Sequence, residues 1–370
     1  MMRAITRMKA WQIASYGGIE QLQLANVRLP TISKPTEVLV KVDAASVNPI
    51  DIAMINGYGS KALNLARQCL KKSDGNIEFP LTMGRDFCGV VVSKGHEVGP
   101  RLNLGDQVWG VVPVQQQGCH ANYVIVDNDL VNVKPTNLSC IEAASILYAG
   151  LTAWSALWIT GGLCYKTSCN QFSYNKKVLV LGGSGGVGTL AIQLAKAWNL
   201  KVIATCSGDA METVEKLGAD MVINYRENDA KSQLINEGPY DIILDCCNTG
   251  VEYVQENGCR FNTYITLNSP LLKNIDNHGF IFGNVKNLGD LIKNNIPINN
   301  KNGSVKWGYF IPSTTGINVL QKFVENKQQI VPVIDQVYDF QDLPQAYKKA
   351  LDGHLRGKIV IDMKNCYNEQ

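Results

Sequence analysis

Residues 177–196, KVLVLGGSGGVGTLAIQLAK, constrain the fold of this chain more than any other stretch. Four apolar residues, Val178, Leu179, Val180 and Leu181, run into Gly182, Gly183, Gly185 and Gly186, and Gly188 follows. Leu190, Ile192, Leu194, Ala195 and Trp198 then recur at helical spacing. A buried strand, a tight turn and a helix in succession are the context of a dinucleotide-binding turn. Glycine admits positive φ and lets a pyrophosphate reach the main chain with no Cβ in the way. The phosphates would lie at the helix N-terminus, where free N–H groups and the helix dipole favour negative charge. The plainer alternative is a glycine turn that only packs helix on strand. The strand–helix alternation downstream argues against it.

At roughly 150 residues per domain, the 370 residues suggest about two domains. Hydrophobic residues make up 45% and charged residues 18%, within the range of globular proteins. Net charge is only +3 and no polybasic run interleaves with aromatics, so nucleic acid is not an implied partner. No run approaches ~18 consecutive apolar residues, so the sequence predicts no membrane-spanning helix. Eleven cysteines, an odd number without CxxC pairs, indicate neither a disulfide framework nor a zinc ribbon. Cys69, Cys88, Cys140, Cys206 and Cys247 are expected to be small buried hydrophobes in a reducing compartment. The start, MMRAITR, carries Arg3 and Arg7 with no acid before Glu20. It is compatible with a mitochondrial presequence, though short.

From about residue 8 to 148, short strands between turn signals (38–42, 87–92, 107–112, 123–126) predict a compact antiparallel or barrel-like β domain. A helical bridge over 141–157 begins after Ser139, with Glu142 three residues on, as in a capping box. Strand 201–206, helix 210–217, strand 221–225, helix 229–236 and strand 241–245 then alternate, the rhythm of a doubly wound parallel sheet. The Asn-rich run 293–303 is expected to be a loop. Residues 330–340, a helix at 343–351 and a strand at 358–362 look too β-rich for the nucleotide domain and are expected to return to the first.

ASVNPIDIAM (45–54), LTMGRDFCGVV (81–91), LGGSGGVGTLAIQ (181–193), KLGADMVINY (216–225) and GHLRGKIVI (353–361) stand in a telling order. In them the chain resembles zinc-independent medium-chain dehydrogenase/reductases of the quinone-oxidoreductase type. The likeness runs from about residue 8 to 362 and weakens between 246 and 305. NGYGSKALNLAR with the insert up to Glu78, the GRD triplet and YAGLTAWSAL narrow it to a mitochondrial branch. The resemblance implies an α/β architecture in two parts. One is a GroES-like β-rich catalytic domain, residues 8–148 completed by 311–365. The other is a Rossmann NAD(P)H-binding domain with a doubly wound parallel sheet, residues 149–310. It also implies a mitochondrial oxidoreductase that reduces quinones with NADPH and is linked to ubiquinone metabolism, a cytoplasmic location being the alternative. A homodimer joined edge to edge through the Rossmann sheets and a reticulon-type protein partner are expectations of the resemblance alone.

Zinc-dependent members of the superfamily place Cys, His and Cys at three active-site positions. The resemblance puts Asn48 at the first, Arg85 at the second and no ligand at the third, near Leu147. Catalytic zinc takes about three N, S or O protein ligands, and His96, His120, His278 and His354 are too dispersed to compensate. No metal is therefore expected. The acceptor must then take hydride without strong carbonyl polarisation, which suits quinones and conjugated enones rather than simple alcohols.

An NAD site usually carries an acid about 20 residues past the glycines, at the end of the second strand. Here KVIATC ends at Ser207, which does not repel a 2′-phosphate. Tyr225, at the family's NADPH-contact position, and Arg226 add a phenol and a cation, whereas Asp209 and the lack of Lys or Arg over 207–213 point the other way. NADPH is favoured over NADH. The bland alternatives are Ser207 as a helix cap and Arg226 as a solvated charge.

Ser184, Gly186, Val187 and Gly188 are expected pyrophosphate contacts, and Leu267, ending a strand over 263–267, a main-chain contact to the nicotinamide half. The resemblance carries His354, Leu355 and Arg356 to the cofactor, although a helix end capped by cations and Gly357 reads the same way. Asn48 is either a helix N-cap before Pro49 and Asp51, or a side chain beside nicotinamide and substrate, or both. Tyr58 resembles the proton donor of related mitochondrial enoyl reductases, a phenol acting as general acid when desolvated; its alternative is a packing loop tyrosine. Arg85 and Asp86 are expected to form an ion pair below the site, mainly architectural. Relatives commonly carry a glycine pair soon after the strand ending at Asp245, where this chain has Cys246, Cys247, Asn248, Thr249 and Gly250; side chains there are expected either to narrow the site or to change its chemistry. Two other functions stay open. One is an enoyl-thioester reductase, with Lys61, Arg67, Lys71 and Lys72 as an acyl-carrier patch. The other is a cofactor-binding interaction protein with little turnover.

Overall fold

A computed structural model describes residues 6–71, 78–164, 176–295, 303–325 and 329–364. Most of the N-terminal MMRAITR segment and of the Asn-rich run 293–303 lies outside the described residues. Strand Lys177–Leu181 sits inside a six-stranded, fully parallel sheet. Its order is Met221–Asn224, Lys201–Cys206, Lys177–Leu181, Tyr240–Asp245, Phe261–Thr266, Ser304–Trp307. Counted along the chain this is 3-2-1-4-5-6, the doubly wound order that reverses beside its first strand. Val178 and Val180 pack with Leu190, Leu194 and Trp198 on one face, while Leu179 and Leu181 join Ile223, Leu234 and Tyr264 on the other. A strand covered on both faces must be apolar throughout, so its sequence reads as a run and not an alternation.

The edge strand Ser304–Trp307 and the helix Leu271–Asn295 were not legible in the sequence. Asn295 closes that edge locally: its amide donates to the Val305 carbonyl (3.0 Å) and its oxygen accepts the Val305 N–H (2.9 Å). Those are the groups an edge-to-edge partner would need at Val305.

The β-rich part is built around strand Glu37–Val47. It pairs antiparallel with Asp86–Lys94, Tyr123–Asp127 and Lys358–Asp362. Lys358–Asp362 runs parallel to Ile334–Asp339, so the end of the chain completes the sheet of its beginning. Phe340, Leu343 and Tyr347, from the last helical segment, share one core with Val38, Phe87, Val108 and Ile361. Strands Gln23–Arg28, Arg7–Ile13 and Leu81–Thr82 form a smaller sheet.

Between the two sheets runs Cys140–Thr160, made of helices Cys140–Ala144 and Leu147–Trp154 and a wider turn Ser155–Thr160. Ser139 Oγ accepts the Glu142 N–H (3.2 Å) and the Glu142 carboxylate accepts the Ser139 N–H (2.8 Å), the capping box expected from sequence. The segment is long and apolar enough to cross a membrane, but 78% of its window is buried inside the protein. It is a core element. Cys88 and Cys206 are buried as expected and Cys140 is half-buried, whereas Cys69 and Cys247 are exposed. Cys69 lies on the amphipathic helix Ser60–Lys71 and Cys247 in the loop after Asp245, where neither is enclosed.

Candidate active site

The glycine turn is held by close backbone approach. Gly182 has φ +81°, and the Gly183 N–H donates to the Thr205 carbonyl (2.8 Å). A Cβ on Gly188 would lie 2.1 Å from the Gly182 carbonyl oxygen, so only glycine lets helix Gly186–Ala197 start this near the strand. The N–H groups of Gly186, Val187 and Gly188 belong to the first turn, where a helix offers them no internal acceptor. Ser184 accepts the Gly357 N–H at 2.9 Å, and Gly185 bridges Gly357. The tail of the chain is thereby tied to the turn, and beyond that tie His354 and Arg356 line a surface cleft with Gly208 and Asp209.

That cleft, of about 490 Å³, is lined by Gly208, Asp209, Asn224, Arg226, Glu227, His354 and Arg356. Ser207 does not line it directly. Its hydroxyl donates to Asp209 (2.5 Å) and accepts from Arg356 Nη2 (2.9 Å), while Arg356 Nη2 also reaches Asp209 at 2.6 Å. The Ser207 hydroxyl, and then Arg356, hold the Asp209 carboxyl down to about 2. The sequence has no cation over 207–213; folding supplies one from 147 residues away. Tyr225 is exposed beside the cleft with the Arg226 guanidinium 5.6 Å from its ring centroid. Leu267 lies just past strand Phe261–Thr266, at the carboxyl end of the sheet, where doubly wound folds bind ligands. Leu355 packs against the β-rich core.

The second centre is a buried polar cluster around Asp86. Its Oδ1 accepts from Ser46 Oγ and from Asn48 Nδ2 (2.9 Å), and its Oδ2 accepts the Tyr148 N–H (3.0 Å). The Asn48 side-chain oxygen takes the Lys358 ammonium, which also lies 3.4 Å from the Val47 carbonyl. Asn48 holds the helix-start position expected of it, its N–H meeting the Asp51 carboxylate (2.9 Å), while its side chain faces Asp86 and Lys358. Burial pulls the Lys358 pKa down, against the opposing pull of Asp86 and Asp51. The Lys358 stem lies 2.9 Å from where a Gly186 Cβ would stand, which joins this cluster to the glycine turn.

The expected Arg85–Asp86 pair is not formed. Arg85 stands just before strand Asp86–Lys94 and turns instead to Asp51 (3.4 Å), donating also to the carbonyls of Pro113, Gln116 and Thr82. Among the described residues, no group of three or more His, Cys, Asp or Glu is placed to hold a metal.

Tyr58 is half-buried, and burial, then Tyr309 and Asp276, push its pKa up. Tyr148 has Tyr58 among its electrostatic neighbours and stacks on Phe310 at 4.2 Å between centroids. The stacked pair Tyr148 and Phe310 thus stands next to the Asp86 cluster, with Tyr58 and Tyr309 close enough to influence one another electrostatically. Lys358, Tyr148, Tyr309 and Phe310 were missed in the sequence. A lysine heading the apolar strand KIVID was the signal available for the first. The loop after Asp245 is drawn together by that carboxylate, which accepts the N–H groups of Cys247, Thr249 and Gly250 at 3.1 Å. A Cβ on Gly182 would stand 3.0 Å from the Cys247 Cβ, so the loop lies close against the turn and glycine makes the room between them. Of the lysine–arginine patch, Arg67 is buried on the Gln115 carbonyl and Lys61 is exposed; the side chains of Lys71 and Lys72 lie outside the described residues.

Comparison with known proteins agrees with this architecture. Residues 34–136 match the family model "alcohol dehydrogenase GroES-like domain" and residues 186–261 match "zinc-binding dehydrogenase". The chain is 47% identical to NAD(P)H oxidoreductase RTN4IP1, mitochondrial, of Drosophila melanogaster, over 98% of its own length and 88% of that protein. It is 36% identical to reticulon-4-interacting protein 1, mitochondrial, of Caenorhabditis elegans, over 96% and 94% of the two chains. Among solved structures it is similar to the quinone oxidoreductase from Coxiella burnetii: TM-score 0.73, 28% identity, 96% of this chain and 99% of that one.

Proposed function

Because the chain belongs to the RTN4IP1 family of NAD(P)H oxidoreductases, we propose that it transfers hydride from NADPH to a quinone or conjugated enone without a metal. The observation that carries this reading is the stacked pair Tyr148 and Phe310, attached to the Asp86 cluster through the Tyr148 N–H and set beside the Lys358 ammonium. Flat side chains suit a planar acceptor. The Lys358 ammonium rests on Asn48, at a position where zinc-dependent relatives keep a ligand, and disfavours a second cation there.

Bound nicotinamide supplies the hydride. The first-turn N–H groups from Gly186 to Gly188, with Ser184, fit a pyrophosphate. Arg356, steadied by Ser207, and Arg226 fit a 2′-phosphate and support NADPH over NADH. Lys358 and Asn48 orient the acceptor's oxygen. Burial keeps the Tyr58 phenol protonated, so its Oη can pass a proton to that oxygen once hydride has arrived. The names of the relatives support a mitochondrial location and a reticulon-type partner. A quinone acceptor in that compartment links the reaction to ubiquinone metabolism.

The test follows NADPH absorbance with short-chain quinones, enones and crotonyl thioesters, alongside zinc analysis of the purified protein. Quinone- or enone-dependent oxidation is expected, with Tyr58→Phe slower by about 10²-fold. Oxidation with thioesters alone would instead make the chain an enoyl-thioester reductase. Cofactor binding without turnover would make it a binding protein.

A further inference from the structure

Helix Leu271–Asn295 is two pieces joined at Gly279, whose φ of +75° interrupts the helical backbone. The first piece is anchored beside the proposed site. Asp276 accepts the N–H groups of Gly59 (2.6 Å) and Lys61 (3.1 Å), directly after Tyr58. The second piece stands open to solvent: Ile281, Phe282, Val285, Leu288 and Ile292 are between 51% and 76% exposed. Residues 281, 285, 288 and 292 recur at i, i+4, i+7 and i+11, one stripe along one side of the helix. Exposed apolar residues are ordinary singly, but a contiguous row this open marks a contact surface.

The charges choose the partner. Beyond Gly279 the exposed charged residues of this helix are Lys286 and Lys293. Its one acid there, Asp290, is half-buried and accepts from the Asn274 amide at 2.9 Å. A second copy seated on this row would bring two more lysines and no exposed acid from the helix segment, so the segment offers no charge pairing with itself. An anionic lipid surface answers both features, since its acyl boundary takes the apolar row and its headgroups take the lysines. We propose that residues 280–295 lie in the surface of a bilayer containing anionic lipid and hold the Tyr58 side of the molecule against it. Resting on the quinone reading above, this places the site's mouth where a long-tailed, lipid-dissolved acceptor can enter without crossing water.

Flotation of the full chain with vesicles of phosphatidylcholine, alone or mixed with phosphatidylglycerol, tests the docking with no quinone present. The chain is expected to float with the mixed vesicles and to float less with phosphatidylcholine alone. K286E and K293E should each lower the bound fraction by about fivefold or more. The double variant I281D/L288D should stay soluble while keeping NADPH binding and reduction of short-chain, water-soluble quinones. That soluble assay reads the reaction separately, so a failed activity leaves the docking result standing, and the reverse holds too. The proposal is overturned if the wild-type chain ignores the mixed vesicles, or if both lysine reversals and I281D/L288D float like it. It is also overturned if I281D/L288D changes a dimer to a monomer by light scattering while the wild type stays soluble, because the row would then join two copies. Should I281D/L288D not fold, the lysine variants alone decide.

Discussion

Arg356 is held in place by chain contacts alone. Its guanidinium bonds the Ser207 hydroxyl and the Asp209 carboxylate, and its N–H donates to Asp335 at 2.7 Å. Such a cation, aimed but held by an exposed acid, can exchange Asp209 for a phosphate with little loss. Charge-assisted hydrogen bonds contribute roughly 1.5–3 kcal/mol. Arg356→Ala is therefore expected to weaken NADPH about tenfold or more and to leave NADH within about twofold. Fluorescence titration of both coenzymes checks it, and equal losses would remove Arg356 from phosphate recognition. Ser207 was readable in the sequence as a residue that does not repel phosphate. Its partner was not, because nothing local to 207 announces a guanidinium from residue 356.

The capped helix and the glycine turn are elements whose reasons are local, and both were legible. Removing the Ser139 cap by Ser139→Ala should cost about 1 kcal/mol, lowering Tm by a few degrees in a thermal melt without changing activity. Gly188→Ala is a harsher change, since the added Cβ would meet a backbone carbonyl at 2.1 Å. Coenzyme binding should be lost by titration, because the turn must open to admit the methyl. Helix Leu271–Asn295 shows why other elements were missed. Its second piece leaves its apolar side facing solvent, so periodicity alone does not say what it packs on, and a glycine interrupts the pattern mid-way.

At the scale of the molecule, the two ends of the chain meet around His120. Its ring contacts the Tyr347 hydroxyl (2.9 Å) and the Ser46 carbonyl (3.1 Å), linking the closing helix to the central β-strand. Burial lowers its pKa, outweighing the upward pull of Asp51 and Asp86. The unfolded chain therefore takes up this proton first as pH falls, and the stability it supports is present above about pH 6.5 and lost below it. Melts at descending pH should show Tm falling through that window, and His120→Gln should flatten the slope; an unchanged slope would place the titration elsewhere. What the sequence determined alone is what short-range physics controls: the apolar run, the glycine turn, the cap and the alternation of strand and helix. The tertiary structure decided which distant groups meet, namely Arg356 with Asp209, Lys358 with Asn48, and Arg85 with Asp51 in place of Asp86. Those pairings depend on strand order and on which face each side chain takes, and neither is encoded in any single stretch of residues.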